Sequence, residues 1–215
     1  MTDLSLNHKL IFLEFLKGDL QLAAFETFIS QTPGLENELG TDVYIDLLTF
    51  DYKNKNADNH LEKYLFEKVI SEREFETWKL TELLQDFINN PSKAKELLDE
   101  FYHLYCGAHN RQGELTTGYR FLGHLGLNYF YWIDEGYLRT TYGNKWRVEY
   151  EKSLKDIEFY QQQLRPIAEQ ILQAIINGEI KIVGKGEYYI AEQLKNELEG
   201  DNIFELTRPE RSKGG

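Results

Sequence analysis

The chain has one cysteine, no long apolar run and no leader-like N-terminus, and each shortage excludes a class of protein. Because Cys106 is the single cysteine among 215 residues, no disulfide can form within the chain. No apolar stretch approaches the roughly 18 residues of a membrane span. The first residues also lack the basic and apolar regions of a secretory signal. The sequence therefore predicts a cytoplasmic protein in a reducing compartment that does not bind a membrane.

Basic residues are in the minority, since 24 Lys and Arg stand against 36 Asp and Glu and the net charge is −12. Nucleic-acid backbones are bound by clustered Lys and Arg, so we predict no nucleic-acid partner. Residues 1–52 carry nine acids and two bases, which is −7 of the total. An acidic segment of this kind suits a basic protein partner, and it equally suits a solvated helix face without a partner.

The chain also lacks the glycine-rich phosphate and dinucleotide motifs, and we predict no catalytic residue and no cofactor. His103, Cys106 and His109 follow one another at three-residue spacing, so His103 and Cys106 would share a helix face and could ligate a metal. The paired ligands typical of structural zinc are missing. The other interpretation is a buried thiol beside Tyr105 and two half-exposed histidines. An enzyme or metal-binding protein that uses this region stays the alternative function.

Helix-start and helix-end signals divide the first 52 residues into four predicted helices. Asp19 is expected to cap the second helix, and Thr41 the fourth. In the fourth helix the apolar period places Tyr44, Leu47 and Leu48 inward. From residue 58 the helical period continues, interrupted by the polar, glycine-rich stretch 107–118, which is the one plausible internal boundary.

An aromatic block occupies residues 119–150 and holds ten of the thirty aromatic residues and two of the three tryptophans. Tyr129, Phe130, Tyr131 and Trp132 are consecutive, so they cannot all face one side of a helix. A core that covers every face of the helix explains them. Exposed anchors of a protein interface explain them as well, and Trp132 is our candidate for such an anchor.

Apolar residues recur at alternating spacings of three and four from Leu154 to Ile175, which predicts a helix with a packing seam. The seam could be used within the chain or across a dimer, so the protein is predicted to be a monomer or a dimer. Pro166 is expected to kink this helix or begin a new one. The alternating, β-branched run at 179–183 predicts a short strand, and 203–206 is a further strand candidate.

Together these patterns predict a mostly α fold, a multi-helix globular bundle with a small β element near the C-terminus. We assign residues 1–207 to a single helical domain with a possible seam at 107–118. Residues 208–215 are predicted to be a disordered tail.

The N-terminal segment carries a pattern of apolar, acidic and glycine residues that is similar to a known family. The pattern consists of Phe15-Leu16-Lys17-Gly18, Phe25-Glu26-Thr27-Phe28, Leu35-Glu36, Leu39-Gly40, Tyr44, Leu47-Leu48 and Asp51-Tyr52. It resembles the helical N-terminal segment of small bacterial immunity proteins, which protect a cell from polymorphic or contact-dependent toxins. The resemblance covers about residues 10–55 and departs from the family at Phe28, where Trp or Tyr is more frequent.

The resemblance implies a non-enzymatic protein that binds a toxin domain and blocks its active or entry site. Many such toxin domains are nucleases with a basic substrate cleft, and an acidic inhibitor would be steered to that cleft. The carboxylates that we expect to contact a basic toxin domain are Glu26, Glu36, Glu38, Asp42 and Asp46. The opposing interpretation is that they form a solvated helix face.

Overall fold

A computed structural model describes residues 4–107, 113–200 and 202–208 of the chain. These residues are mostly helical, and they include a two-stranded antiparallel hairpin near the C-terminus. The predicted fold class is therefore confirmed. Among the described helices, none combines the length and the apolar character that crossing a membrane requires. The predicted tail at 208–215 lies outside the described residues, apart from Arg208.

The chain divides into two units, Met1–Phe75 and Glu76–Gly215. The first unit contains α1 (Leu6–Lys17), α2 (Leu22–Gln31), α3 (Leu35–Leu39), α4 (Thr41–Leu48), α5 (Ala57–Lys68) and the start of α6 (Glu72–Asn89). The division falls within α6, and the seam predicted at 107–118 lies inside the second unit. The assignment of 1–207 to a single domain stays a prediction.

Aromatic rings from α1 and α2 form the centre of the first unit. Phe25 is fully buried, and its ring lies 5.3 Å from that of Phe12 and 4.4 Å from that of Phe15. Asp19 does not cap α2, so that prediction is wrong. Its N–H instead donates to the carbonyl of Glu14, because the chain turns back at Gly18 to close α1, and α2 begins only at Leu22.

The second unit contains the rest of α6 and all of the described elements that follow it. These elements are a 3₁₀ turn at Pro91–Lys93, α7 (Ala94–Cys106), a 3₁₀ turn at Arg120–Leu122, α8 (Gly123–Trp132), α9 (Glu135–Tyr142), a 3₁₀ turn at Gly143–Lys145, α10 (Trp146–Lys155), α11 (Ile157–Ile176), β1 (Ile180–Gly184), β2 (Glu187–Ile190) and α12 (Glu192–Leu198). Helices α7 and α8 pack closely, since a Cβ atom at Gly126 would lie 2.8 Å from the Cα atom of Tyr102.

Helix α11 provides one wall of the core of the second unit. Leu164, Ala168 and Ile171 are fully buried within it, so the predicted packing seam is used inside the chain. The helix runs without a break through Pro166, which lies on its exposed side. The expectation that a new helix begins there is therefore wrong, because an exposed ring leaves the buried face of the helix intact.

Two glycines close the stretch at 107–118, and both have positive φ angles. A Cβ atom at Gly107 would lie 2.4 Å from the carbonyl oxygen of Thr116, and one at Gly118 would lie 2.3 Å from that of Tyr105. Only glycine allows two backbones to approach this closely. Directly after them, the N–H of Tyr119 donates to the carbonyl of Leu104 at 2.9 Å.

Strand β1 confirms the strand predicted at 179–183, and it pairs with β2 in the register Ile182↔Tyr188. The side chains of Ile180 and Ile182 are buried against the core. The hydroxyl of Tyr119, also fully buried, lies 3.0 Å from the carbonyl oxygen of Gly184. Residues 203–206 form no strand, so that expectation is wrong; side chains rather than a neighbouring strand bond their backbone.

Candidate functional site

Helix α4 brings two of the predicted carboxylates together on one exposed face. Asp42 and Asp46 are one helical turn apart, and both are exposed. The hydroxyl of Tyr64, from α5, donates to the carboxylate of Asp46 at 2.8 Å. Burial first, and then the hydrogen bond to Asp46 and the charges of Asp46 and Asp42, raise the pKa of Tyr64. A tyrosine phenol is protonated at neutral pH even without such a shift, so Tyr64 serves Asp46 as a donor.

Glu26 lies on α2, and its negative charge acts on Tyr52, which is bonded to the C-terminal part of α4. The hydroxyl of Tyr52 donates to the carbonyl of Leu47 in α4 at 2.9 Å. Burial first, and then the negative charge of Glu26, raise the pKa of Tyr52. Glu26 is itself exposed, so its charge adds to the acidic surface around α4.

The two carboxylates of α3 point to different neighbours. Glu36 is exposed and accepts a hydrogen bond of 3.0 Å from the hydroxyl of Thr41, at the start of α4. Glu38 turns instead toward α1, where it accepts from the backbone N–H of Ser5 at 2.8 Å and lies 3.0 Å from Nδ1 of His8. The hydrogen bond from Ser5, followed by that from His8, lowers the pKa of Glu38. Of the five predicted carboxylates, Glu38 is thus the one engaged in holding α1 to α3.

Two apolar side chains of α4 lie in the open beside these carboxylates, and sequence reasoning missed them. Ile45 is 50% exposed and Leu48 is 43% exposed, whereas Leu47 is fully buried. The inward position predicted for Leu48 is therefore wrong, because the buried face of α4 is centred on Leu47. At 100° per residue, Ile45 lies nearly opposite Leu47 on the helix. The position of Ile45 opposite Leu47 is the sequence signal from which its exposure could have been predicted. We call Asp42, Ile45, Asp46 and Leu48 the α4 face.

Trp132 lies in the second unit, at the end of α8, and its side chain is half-buried. Its ring lies 5.7 Å from that of Tyr160, and the guanidinium of Arg208 lies 5.0 Å from the centre of the ring. A groove of about 700 Å³ runs beside it, lined on one side by Tyr131 and Tyr142, which are 44% and 41% exposed. The aromatic block is thus divided, with Tyr119 and Phe121 in the core and the residues around Trp132 at the surface.

His103 and Cys106 both lie in the last turn of α7 and are exposed, whereas His109 lies outside the described residues. Nε2 of His103 is 3.4 Å from a carboxylate oxygen of Asp99. Burial first, and then a hydrogen bond with the thiol of Cys106, raise the pKa of Tyr102 to about 12. The expectation of a buried thiol is wrong, since Cys106 follows the exposed side of α7. Among the described residues, no three His, Cys, Asp or Glu side chains are grouped to hold a metal.

Several functional-looking side chains of the second unit were not predicted at all. His124 and Asn128 are buried in α8, where most polar side chains would be unfavourable. Each is bonded to backbone groups of the C-terminal segment, and Gln163 of α11 is bonded to the same segment. No spacing in the sequence connects residues more than forty positions apart, so local patterns could not reveal this arrangement.

Helix α4 therefore combines exposed carboxylates with exposed apolar side chains, and the end of α8 combines exposed aromatic rings with a groove. Comparisons of the chain with family models, with curated proteins and with solved structures give no match.

Proposed function

We propose that this protein is a non-enzymatic, immunity-type binding protein that neutralises a bacterial toxin domain by covering a basic cleft with its α4 face. The observation that carries the proposal is the exposure of two apolar side chains next to exposed carboxylates in α4. Along the helix, Ile45 comes between Asp42 and Asp46, and Leu48 follows Asp46. Apolar side chains surrounded by charged ones are typical of protein interfaces, in which the apolar centre is buried and the polar rim stays hydrated. The N-terminal resemblance to immunity proteins covers the same helices.

The charge distribution supports a basic partner. Glu36, bonded to Thr41 at the start of α4, and Glu26, whose charge acts on Tyr52, are exposed as well and add to the negative charge of the first unit. Such a surface accelerates the encounter with a positively charged cleft, and it competes there with the phosphates of a nucleic-acid substrate. Glu38 has no part in this contact, because it bonds to Ser5 and His8.

Affinity capture with two pairs of matched variants tests the proposal. Three forms of the full chain serve as bait: wild type, Asp42→Lys/Asp46→Lys and Ile45→Asp. Each is used at low salt to capture proteins from a lysate of its native cells. The control for charge is Glu192→Lys/Glu197→Lys, which makes the same change at two exposed positions of α12. The control for the apolar residue is Ile176→Asp, since Ile176 is also exposed, at the end of α11.

We expect a basic partner to bind wild type and both controls, and to be released by salt. Reversing two exposed charges should weaken binding by about 2 kcal/mol, roughly thirtyfold in Kd. Expression of the captured partner should be toxic to cells, and co-expression of wild type but not of Asp42→Lys/Asp46→Lys should restore growth. The proposal fails if wild type captures no basic protein, or if the captured protein binds both α4 variants as tightly as wild type.

A further inference from the structure

The C-terminal segment 202–208 is itself neither strand nor helix, yet side chains bond its backbone at several points. The N–H of Phe204 donates to Nδ1 of His124 at 2.8 Å, and the side-chain amide of Asn128 donates to the carbonyl of Phe204 at 2.8 Å. Three residues on, the amide oxygen of Gln163 accepts from the N–H of Thr207 at 2.9 Å, and its amide nitrogen donates to the carbonyl of Thr207 at 2.9 Å. Helices α8 and α11 thus hold an extended backbone through fixed polar groups.

The buried position of His124 shows that this arrangement is specific. Because Nδ1 accepts from the N–H of Phe204, the proton of the neutral ring is on Nε2, which donates to the carbonyl of Glu197 at 3.0 Å. Asn128 is 2% exposed and is fixed in turn by a second hydrogen bond of 2.7 Å to the carbonyl of His124. Both side chains are therefore held in the orientation that binds the segment, which is the preorganisation expected of a binding site.

Side chains of the segment add one apolar anchor and one charged anchor. Leu206 is 6% exposed and belongs to the core of the second unit, whereas Phe204 is 39% exposed. The guanidinium of Arg208 lies over the ring of Trp132 and donates to the carboxylate of Glu149 at 2.8 Å. Hydrogen bonds from Lys152 and Arg208 lower the pKa of Glu149, so its carboxylate is charged when it binds this arginine.

The segment leaves open space at its side. About 700 Å³ adjoins residues 202–206 on the side of α8 and α9, where Tyr131, Tyr137 and Tyr142 line it. Leu206 is the one buried side chain among residues 202–208, and four hydrogen bonds of the segment involve backbone groups that any peptide possesses. Segments held by few buried contacts open at low cost in free energy.

We propose that the groove between α8 and α11 is a binding site for an extended peptide of a partner protein, with the pattern aromatic–any–Leu–Thr–Arg, and that residues 202–208 occupy it within the chain until such a peptide displaces them. The backbone is bound by His124, Asn128 and Gln163. The leucine of the peptide enters the position of Leu206, and its arginine lies between Trp132 and Glu149. This site is separate from the α4 face and does not depend on the proposed function.

A labelled peptide with the sequence of residues 202–208, NIFELTR, tests the proposal by fluorescence anisotropy against the full chain. The variant Leu206→Asp removes the apolar anchor of the internal segment but leaves the groove unchanged, and the milder Leu206→Ala serves if the first does not fold. An internal competitor acts at an effective concentration of the order of millimolar, so we expect the released variant to bind the peptide roughly 100-fold more tightly than wild type.

Two controls test whether the groove itself is responsible. Adding Gln163→Ala to the released variant should weaken peptide binding about tenfold, and so should the Leu206→Asp change made in the peptide. The proposal is overturned if folded Leu206→Asp and Leu206→Ala bind the peptide no better than wild type, or if either control leaves the affinity unchanged. A released variant that exchanges segments with a second copy and takes up no peptide would also overturn it.

Discussion

Removing one buried hydroxyl, by Tyr119→Phe, should destabilise the second unit by an amount that can be worked out from the structure. The phenol oxygen lies 3.0 Å from a carboxylate oxygen of Glu76 and 3.0 Å from the carbonyl oxygen of Gly184. Its single proton serves two buried acceptors, one of them the side chain of an acid. The ring is kept, so no cavity forms. Loss of a hydrogen bond to a buried carboxyl group and of its share to a carbonyl costs about 2–3 kcal/mol.

Urea unfolding followed by tryptophan fluorescence measures this loss, because all three tryptophans belong to the second unit. The matched control is Tyr131→Phe, which deletes the same hydroxyl from a ring that is 44% exposed and should change the free energy of unfolding by less than about 0.5 kcal/mol. If Tyr119→Phe costs no more than the control, the reasoning that this hydroxyl ties β1 and α6 together is refuted.

Three further predictions concern other parts of the chain. Phe25→Ala should destabilise the first unit by about 3–5 kcal/mol in far-UV circular dichroism, because it removes a fully buried ring; an effect below 1 kcal/mol would contradict the described core. The lowered pKa of Glu38 contributes stability above its unfolded pKa that is lost as the pH falls through the folded value. Wild type should therefore lose more stability between pH 5 and pH 3 than Glu38→Gln, and equal losses would show that the bonds to Ser5 and His8 do not matter. Protein purified without a chelator should contain far less than one zinc or iron per chain by atomic emission, whereas stoichiometric metal would revive the site at His103 and Cys106.

The helical part of the fold could be predicted because its signals are local. Gly18 ends α1 as expected, and the spacing of apolar residues in α11 corresponds to its buried face. Predictions were wrong where the structure of a segment depends on a neighbouring part of the chain. Asp19 was expected to cap α2, but its N–H completes the end of α1 instead. Residues 203–206 have the composition of a strand but form none, because strand formation depends on a pairing partner that cannot be judged from one segment alone.

The candidate sites were predicted only in part, and for a related reason. Composition identified the acidic helices, but it could not show that Glu38 faces α1 while Asp42 and Asp46 face solvent. The exposure of Leu48 depends on where the centre of the buried face of α4 falls, which a short helix specifies poorly. The binding of residues 202–208 by Gln163 and Asn128 joins parts of the chain that are far apart in sequence.

The two glycines at the ends of the 107–118 stretch have a practical consequence for anyone who wishes to label this protein. Because Gly107 and Gly118 bring the backbone together, both ends of the stretch are held at one point of the second unit. Lengthening a loop whose ends are already joined costs little, about 0.6 kcal/mol for each doubling. An epitope or a fluorescent domain inserted after Gly113 should therefore leave both the α4 face and the α8–α11 groove intact, provided that neither glycine is replaced.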